Sequence, residues 1–240
     1  MGKKMGKAGK KALLTLVVLA LSGLTGFAAQ KDKDEVVTGR DGRTMFIPRR
    51  SQAFTQGAPS GAGLVKIFNN LARVYPKGAY SCCDGFTVEG SAADPEFWQA
   101  AAFKPTVNHT VTLIEVAVSL NGGADEVILS LNNDANGLPG KAIRTWHLTG
   151  LPAAGTCCTI EAVTDAAGIP ITGGTRYWIV LKPKSGSDTQ AVWNLNDTNQ
   201  VDPIKGAFYC SSQSGVCLNN RKWTVEPRLP GLAFAVFGSE

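Results

Sequence analysis

From Leu64 onward, apolar and polar residues alternate in short runs broken by turn-forming clusters, which is the period of half-buried β-strands. Residues 112–120 show it most clearly. Ile114, Val116, Val118 and Leu120 fall on one face, and Glu115, Ala117 and Ser119 on the other. Asn121-Gly122-Gly123 then turns the chain into 126–131, where Val127, Leu129 and Leu131 share a face. The two runs are therefore expected to pair as a hairpin or lie as near neighbours. Further strands are expected over 64–69, 98–103, 142–148, 159–163, 191–195 and 233–237. Residues 176–181 (Arg-Tyr-Trp-Ile-Val-Leu) are apolar on both faces, which predicts a central strand covered on either side. No amphipathic helix longer than a turn or two is legible. The pattern predicts an all-β domain over 64–240, a two-sheet β-sandwich of jelly-roll type.

The first 63 residues read differently. Lys3, Lys4, Lys7, Lys10 and Lys11 precede an apolar run from Ala12 to Ala29, the composition of a secretory signal peptide. Gly26 and Ala28 are small at the −3 and −1 positions, so 1–28 is expected to be removed. An uncleaved anchor is the competing reading, disfavoured because the apolar core is short and broken by Gly23 and Gly26. Residues 29–63 are polar and rich in turn formers, and are expected to be a flexible leader. Met45-Phe46-Ile47 could form a short docking strand within it. The product is then secreted, extracellular or periplasmic, with no stable membrane span after cleavage.

Charge supports this division. The chain carries 24 basic and 19 acidic residues, and removing the five signal-peptide lysines leaves 19 against 19. A neutral mature chain has no basic excess for a nucleic-acid partner, so that class is excluded.

Several motifs recur in a recognisable order. Ile67-Phe68-Asn69-Asn70-Leu71 precedes a Gly-x-Phe-x-Val segment at Gly85 to Val88, then Ala101-Ala102-Phe103 and Asn133-Asp134-Ala135-Asn136-Gly137-Leu138-Pro139-Gly140. Gly174-Thr175-Arg176-Tyr177-Trp178, Val192-Trp193-Asn194 and a closing Leu232-Ala233-Phe234-Ala235-Val236-Phe237-Gly238 follow. Over residues 64–238 this order resembles the choice-of-anchor R domain of secreted and surface-attached bacterial proteins. The resemblance implies a β-sandwich module on an exported protein and supplies no catalytic residues. Members often carry a C-terminal sorting signal, and none is read after Phe237 here.

Six cysteines, Cys82, Cys83, Cys157, Cys158, Cys210 and Cys217, read as a disulfide framework in an exported chain. Adjacent cysteines seldom bond to each other, so Cys82-Cys83 is expected to bridge to Cys157-Cys158, and Cys210 to Cys217. Closing a loop of about 75 residues stabilises by about 4 kcal/mol in the chain-entropy account. Zinc is disfavoured, because no Cys-x-x-Cys spacing is present.

Asn132, Asp134 and Asn136 ahead of Gly137 have the opening spacing of a calcium loop, and calcium is the one cofactor the sequence suggests. The twelfth position would be Ile143, without a carboxylate, so a polar hairpin turn is the preferred reading. Among the aromatics, Tyr177, Trp178 and Trp193 lie in apolar runs and are expected in the core. Trp146 and Trp223, flanked by Arg144 and Arg221, are the surface candidates for stacking on a glycan. His109 and His147 sit in no hydrolase or zinc motif. The expected function is a non-catalytic, surface-binding module for a glycan, envelope component or protein. The alternatives are a hydrolase with a carboxylate pair drawn from Glu115, Asp125, Glu126 and Glu161, and a purely structural envelope component.

Overall fold

The structure is a computed structural model that describes residues 35–38, 44–47, 64–71, 80–81, 84–156, 159–196, 205–217, 219–226 and 231–240. Among these the chain forms fifteen strands and no helix. They are β1 (Glu35–Thr38), β2 (Thr44–Ile47), β3 (Val65–Asn69), β4 (Gly85–Glu89), β5 (Glu96–Phe103), β6 (His109–Val116), β7 (Val118–Gly122) and β8 (Val127–Ala135). There follow β9 (Leu138–Leu148), β10 (Glu161–Ile171), β11 (Tyr177–Pro183), β12 (Gln190–Asn194), β13 (Gly206–Ser211), β14 (Lys222–Glu226) and β15 (Phe234–Ser239). Within the span expected as leader, β1 and β2 pair antiparallel. The expected signal peptide lies outside the described residues.

Two sheets pack face to face as a β-sandwich. The smaller has the order β10-β6-β15-β3 and the larger β7-β12-β4-β5-β11-β8-β9, with β13 on β5 and β14 on β13. Between them lies a core of alternate residues, among them Val111, Ile114 and Val116 of β6, Leu129 and Leu131 of β8, Ile179 and Leu181 of β11, and Phe234 and Val236 of β15. Each such fully buried side chain contributes about 1.5–3 kcal/mol. Trp193 is fully buried there, and its indole N–H donates to the Ala233 carbonyl at 3.0 Å.

The alternating run 112–120 does not continue as one strand. It breaks at Ala117, where the chain passes from the small sheet to the large one. The Ala117 N–H donates to Ala233 O at 3.1 Å, while its own carbonyl accepts from Asn194 N at 2.8 Å. Both backbone groups are satisfied, one by the residue that leads into β15 and the other by β12, so the crossing costs no hydrogen bond. The expected hairpin with 126–131 is not formed: β7 pairs with β12, and β8 pairs with β11 and β9. A true two-residue hairpin joins β8 to β9 instead. Asn136 (φ 56°) and Gly137 (φ 84°) stand at its tip, the positive φ pair that a type I′ turn requires.

The large sheet divides at β5. On one side β5 pairs with β13 over Glu96–Ser211 to Ala101–Gly206, and on the other with β11, touching β4 only at Phe97–Glu89. One branch is β7-β12-β4. The other, β9-β8-β11-β5-β13-β14, curls until β14 comes within 8 Å of β9, Cα to Cα. The face inside this curl, turned away from the sandwich core, becomes a second interior.

Candidate functional site

In the curled branch, β11 and β5 have buried side chains on both faces, and this is what the curl demands. In β11, Tyr177, Ile179 and Leu181 face the sandwich core, while Trp178 and Val180 face the curl. In β5, Ala101 and Phe103 face the core, and Ala100 and Ala102 the curl. Ala207 of β13 joins them, and Trp223 of β14 packs against the group. A tightly curled sheet leaves little room inside, and here one fully buried indole is surrounded by three alanines. The sequence expectation of a doubly covered strand over 176–181 is met by this second interior.

Residues directly opposite across strands share a face, so the registers define rows across the curl. One row lies at its half-buried mouth. Trp223 stands opposite Tyr209, and Tyr209 opposite Trp98. The Lys182 ammonium lies 5.4 Å from the Trp98 ring, and Lys182 is opposite Ile128, which is opposite His147. The Trp98 and Tyr209 rings stack at 4.1 Å, and Trp223 meets both edge-on at 6.1 and 5.9 Å. Three rings, one ammonium, one aliphatic side chain and one imidazole thus line one continuous row.

Charged groups border the row. Glu96 accepts from the Trp98 indole at 2.8 Å. Glu126 bridges Lys184 Nζ at 2.8 Å and His147 Nδ1 at 2.9 Å. Its carboxyl is held below the ordinary glutamate range, first by the Lys184 hydrogen bond and then by His147. Beside this rim, Asp94 accepts from Gln213 N and Ser214 N, both at 2.9 Å, fastening the loop after β13 to the start of β5. Hydrogen bonds from Ser214 and Ser212 lower the Asp94 pKa. Cys210 and Cys217 are disulfide-bonded across that loop, with Cα atoms 5.7 Å apart.

The opposite end of the curl is closed by polar bonds. Trp178 Nε1 donates to Asp134 Oδ1 at 2.8 Å, Gly137 N to Asp134 Oδ2 at 2.9 Å, and Arg176 Nη1 lies 3.6 Å from Oδ1. Burial works to raise the Asp134 pKa, yet the Trp178, Gly137 and Arg176 contacts together set it below the ordinary value. Asn132 accepts from Ser130 Oγ and donates to Gly140 O, each at 2.7 Å. Of the three calcium candidates, Asn132 and Asp134 are therefore spent on the hairpin and the buried indole, and Asn136 occupies the turn.

The other predicted residues are dispersed. Trp146 is opposite Leu129 and packs against the sandwich core, its indole donating to Thr164 O at 3.2 Å. Arg144, on the same face, pairs with Asp165 at 2.7 Å. Both bind β9 to β10 and close one open edge of the sandwich, away from the mouth. Arg221 is exposed in the turn before β14. Only Trp223 of the four candidates joins the row. The sequence reading singles out neither Tyr209 nor Lys182; Ala207/Tyr209 and Trp223/Val225 alternate about a Ser/Gly-rich turn, a short hairpin signal.

Cys82, Cys83, Cys157 and Cys158 lie outside the described residues. Tyr80 and Ile160, which flank the two pairs, pack in one cluster on the outer face of the small sheet. Among the carboxylates, Glu115 is buried in β6, and Asp125 accepts from Gly150 N and Leu151 N at 2.9 and 3.0 Å. Glu161 has its pKa raised by burial and then by the charge of Asp125. No helix among the described residues is long and apolar enough to cross a membrane. Comparison with protein-family models, curated proteins and solved structures finds no match.

Proposed function

We propose that this chain is an exported, non-catalytic β-sandwich module that binds a glycan at the mouth of the curl. The observation that carries the reading is the half-buried row of Trp98, Tyr209 and Trp223. Aromatic faces and edges set in a rigid sheet suit a pyranose, whose C–H faces stack while its hydroxyls reach neighbouring polar groups. Glu96, His147 and Lys182 border the rings and supply those groups. The Cys210–Cys217 bond is in keeping with an oxidising compartment, secreted or periplasmic. The resemblance to choice-of-anchor R modules belongs to the same reading.

The test is a glycan array and polysaccharide pull-down on the mature chain, with Trp98→Ala and Trp223→Ala as controls. Binding that both substitutions abolish supports the reading. Retention by all variants, or by none including the parent, overturns it. A hydrolase is the second reading, with half-buried Glu161, whose pKa is raised by burial and then by the charge of Asp125, as its acid. Release of reducing sugar by the parent and not by Glu161→Gln would establish it.

A further inference from the structure

We infer that the sugar taken at this mouth is an acidic one, a uronate residue whose carboxylate pairs with Lys182. The inference rests on the glycan reading above and adds the chemical class. Among the described residues, the other charges bordering the row are engaged. Lys184 and His147 share Glu126, and Glu96 holds the Trp98 indole. Lys182 is different. It is half-buried on β11, and its ammonium lies over Trp98 with no carboxylate partner among the described residues.

A ring face attracts an ammonium without neutralising it, and supplies no acceptor for its three N–H donors. The charge therefore stays available for an incoming anion. Its place in the row decides which anion fits. Lys182 is flanked by Trp98 on one side and aliphatic Ile128 on the other. A bare inorganic anion would leave both flanks unused. A pyranose seated against the rings with a carboxylate on C5 uses the aromatic side and the charge together. Glu96 and Glu126 at the rim would repel a polyanion approaching without such registration, so the pairing also selects orientation.

The experiment titrates the mature, oxidised chain with tetragalacturonate and with an uncharged galactose tetramer, following tryptophan fluorescence and heat. The uronate tetramer is expected to bind more tightly than the neutral one, and less tightly as salt rises. Lys182→Met keeps the apolar stem against Trp98 and removes the charge. It should weaken uronate binding about ten- to a hundredfold, the loss of one charge-assisted hydrogen bond, and weaken the neutral tetramer by clearly less, the loss of a hydroxyl contact alone. Lys182→Arg should restore most of the affinity. Near-ultraviolet circular dichroism of Lys182→Met matching the parent would show that the ring row is intact. Equal binding of both tetramers, or uronate binding indifferent to Lys182→Met, overturns this inference and leaves the glycan reading standing. Failure of both tetramers to bind overturns the uronate assignment, and the array result then decides the broader reading independently.

Discussion

Between the two sheets the space is filled by large side chains: Leu129, Leu131, Ile179, Leu181, Phe234 and Trp193. On the reverse of the same β5, β8 and β11 it is filled by Trp178, alanines and the polar line Ser130–Asn132–Asp134. Sheets packed face to face stand about 10 Å apart and need bulky residues to meet. A single sheet curled on itself encloses much less, so small residues around one indole suffice. The sandwich core is sealed by its small sheet and by Trp146 and Arg144 at the edge. The curl is sealed at the Asp134 end and remains half-open at the other. The difference separates a region that holds the fold from one that holds the fold and also offers a surface.

The largest effect should come from removing either buried indole. Trp193→Ala and Trp178→Ala are each expected to cost about 3–5 kcal/mol. Their consequences should differ in place. By hydrogen exchange, Trp193→Ala should weaken protection across both sheets, whereas Trp178→Ala should weaken β13, β14 and the tip of β8–β9. Identical exchange maps would mean the two interiors are one.

Overpacking sharpens the comparison. Ala100→Leu inserts bulk into the small interior and should cost about 1–3 kcal/mol in denaturant unfolding. A change within about 0.5 kcal/mol, ordinary for a surface site, would mean the curl is open.

Asp134→Ala strips the acceptor from a buried indole N–H and should cost about 1–3 kcal/mol, with or without calcium or chelator. Asp134→Asn, which keeps one oxygen, should cost less. The folded Asp134 pKa is lowered, so its contribution is present above the ordinary aspartate range and lost as pH falls through the lowered value. Parent and Asp134→Ala melting curves should converge in acid. Smallest of all, Arg144→Ala removes a pair half-exposed on the arginine side and should cost about 0.2–1 kcal/mol, leaving glycan binding untouched.

Much of this architecture was legible in the chain. The period of two in 126–131 placed Val127, Leu129 and Leu131 inside, and the doubly apolar 176–181 announced a strand covered on both sides. Alternation alone did not reveal that Ala117 divides its run between two sheets. An apolar position stays buried whichever sheet supplies the cover, so the pattern is silent about the exchange of partners. The site was harder still. Trp146 and Trp223 have similar basic flanks, but register places one against Leu129 in the sandwich and the other opposite Tyr209 in the curl. Lys182 owes its role to Trp98, which is 84 positions away by the sequence numbering and becomes its neighbour only when β5 pairs with β11.

Oxidative footprinting of all five tryptophans, read by mass spectrometry with and without bound oligosaccharide, tests the two-interior account most directly. Trp178 and Trp193 should resist oxidation, while Trp98 and Trp223 react and become protected when the sugar is present. Oxidation of Trp178 as fast as Trp98, or protection by sugar appearing at Trp146 in place of Trp98 and Trp223, would contradict it.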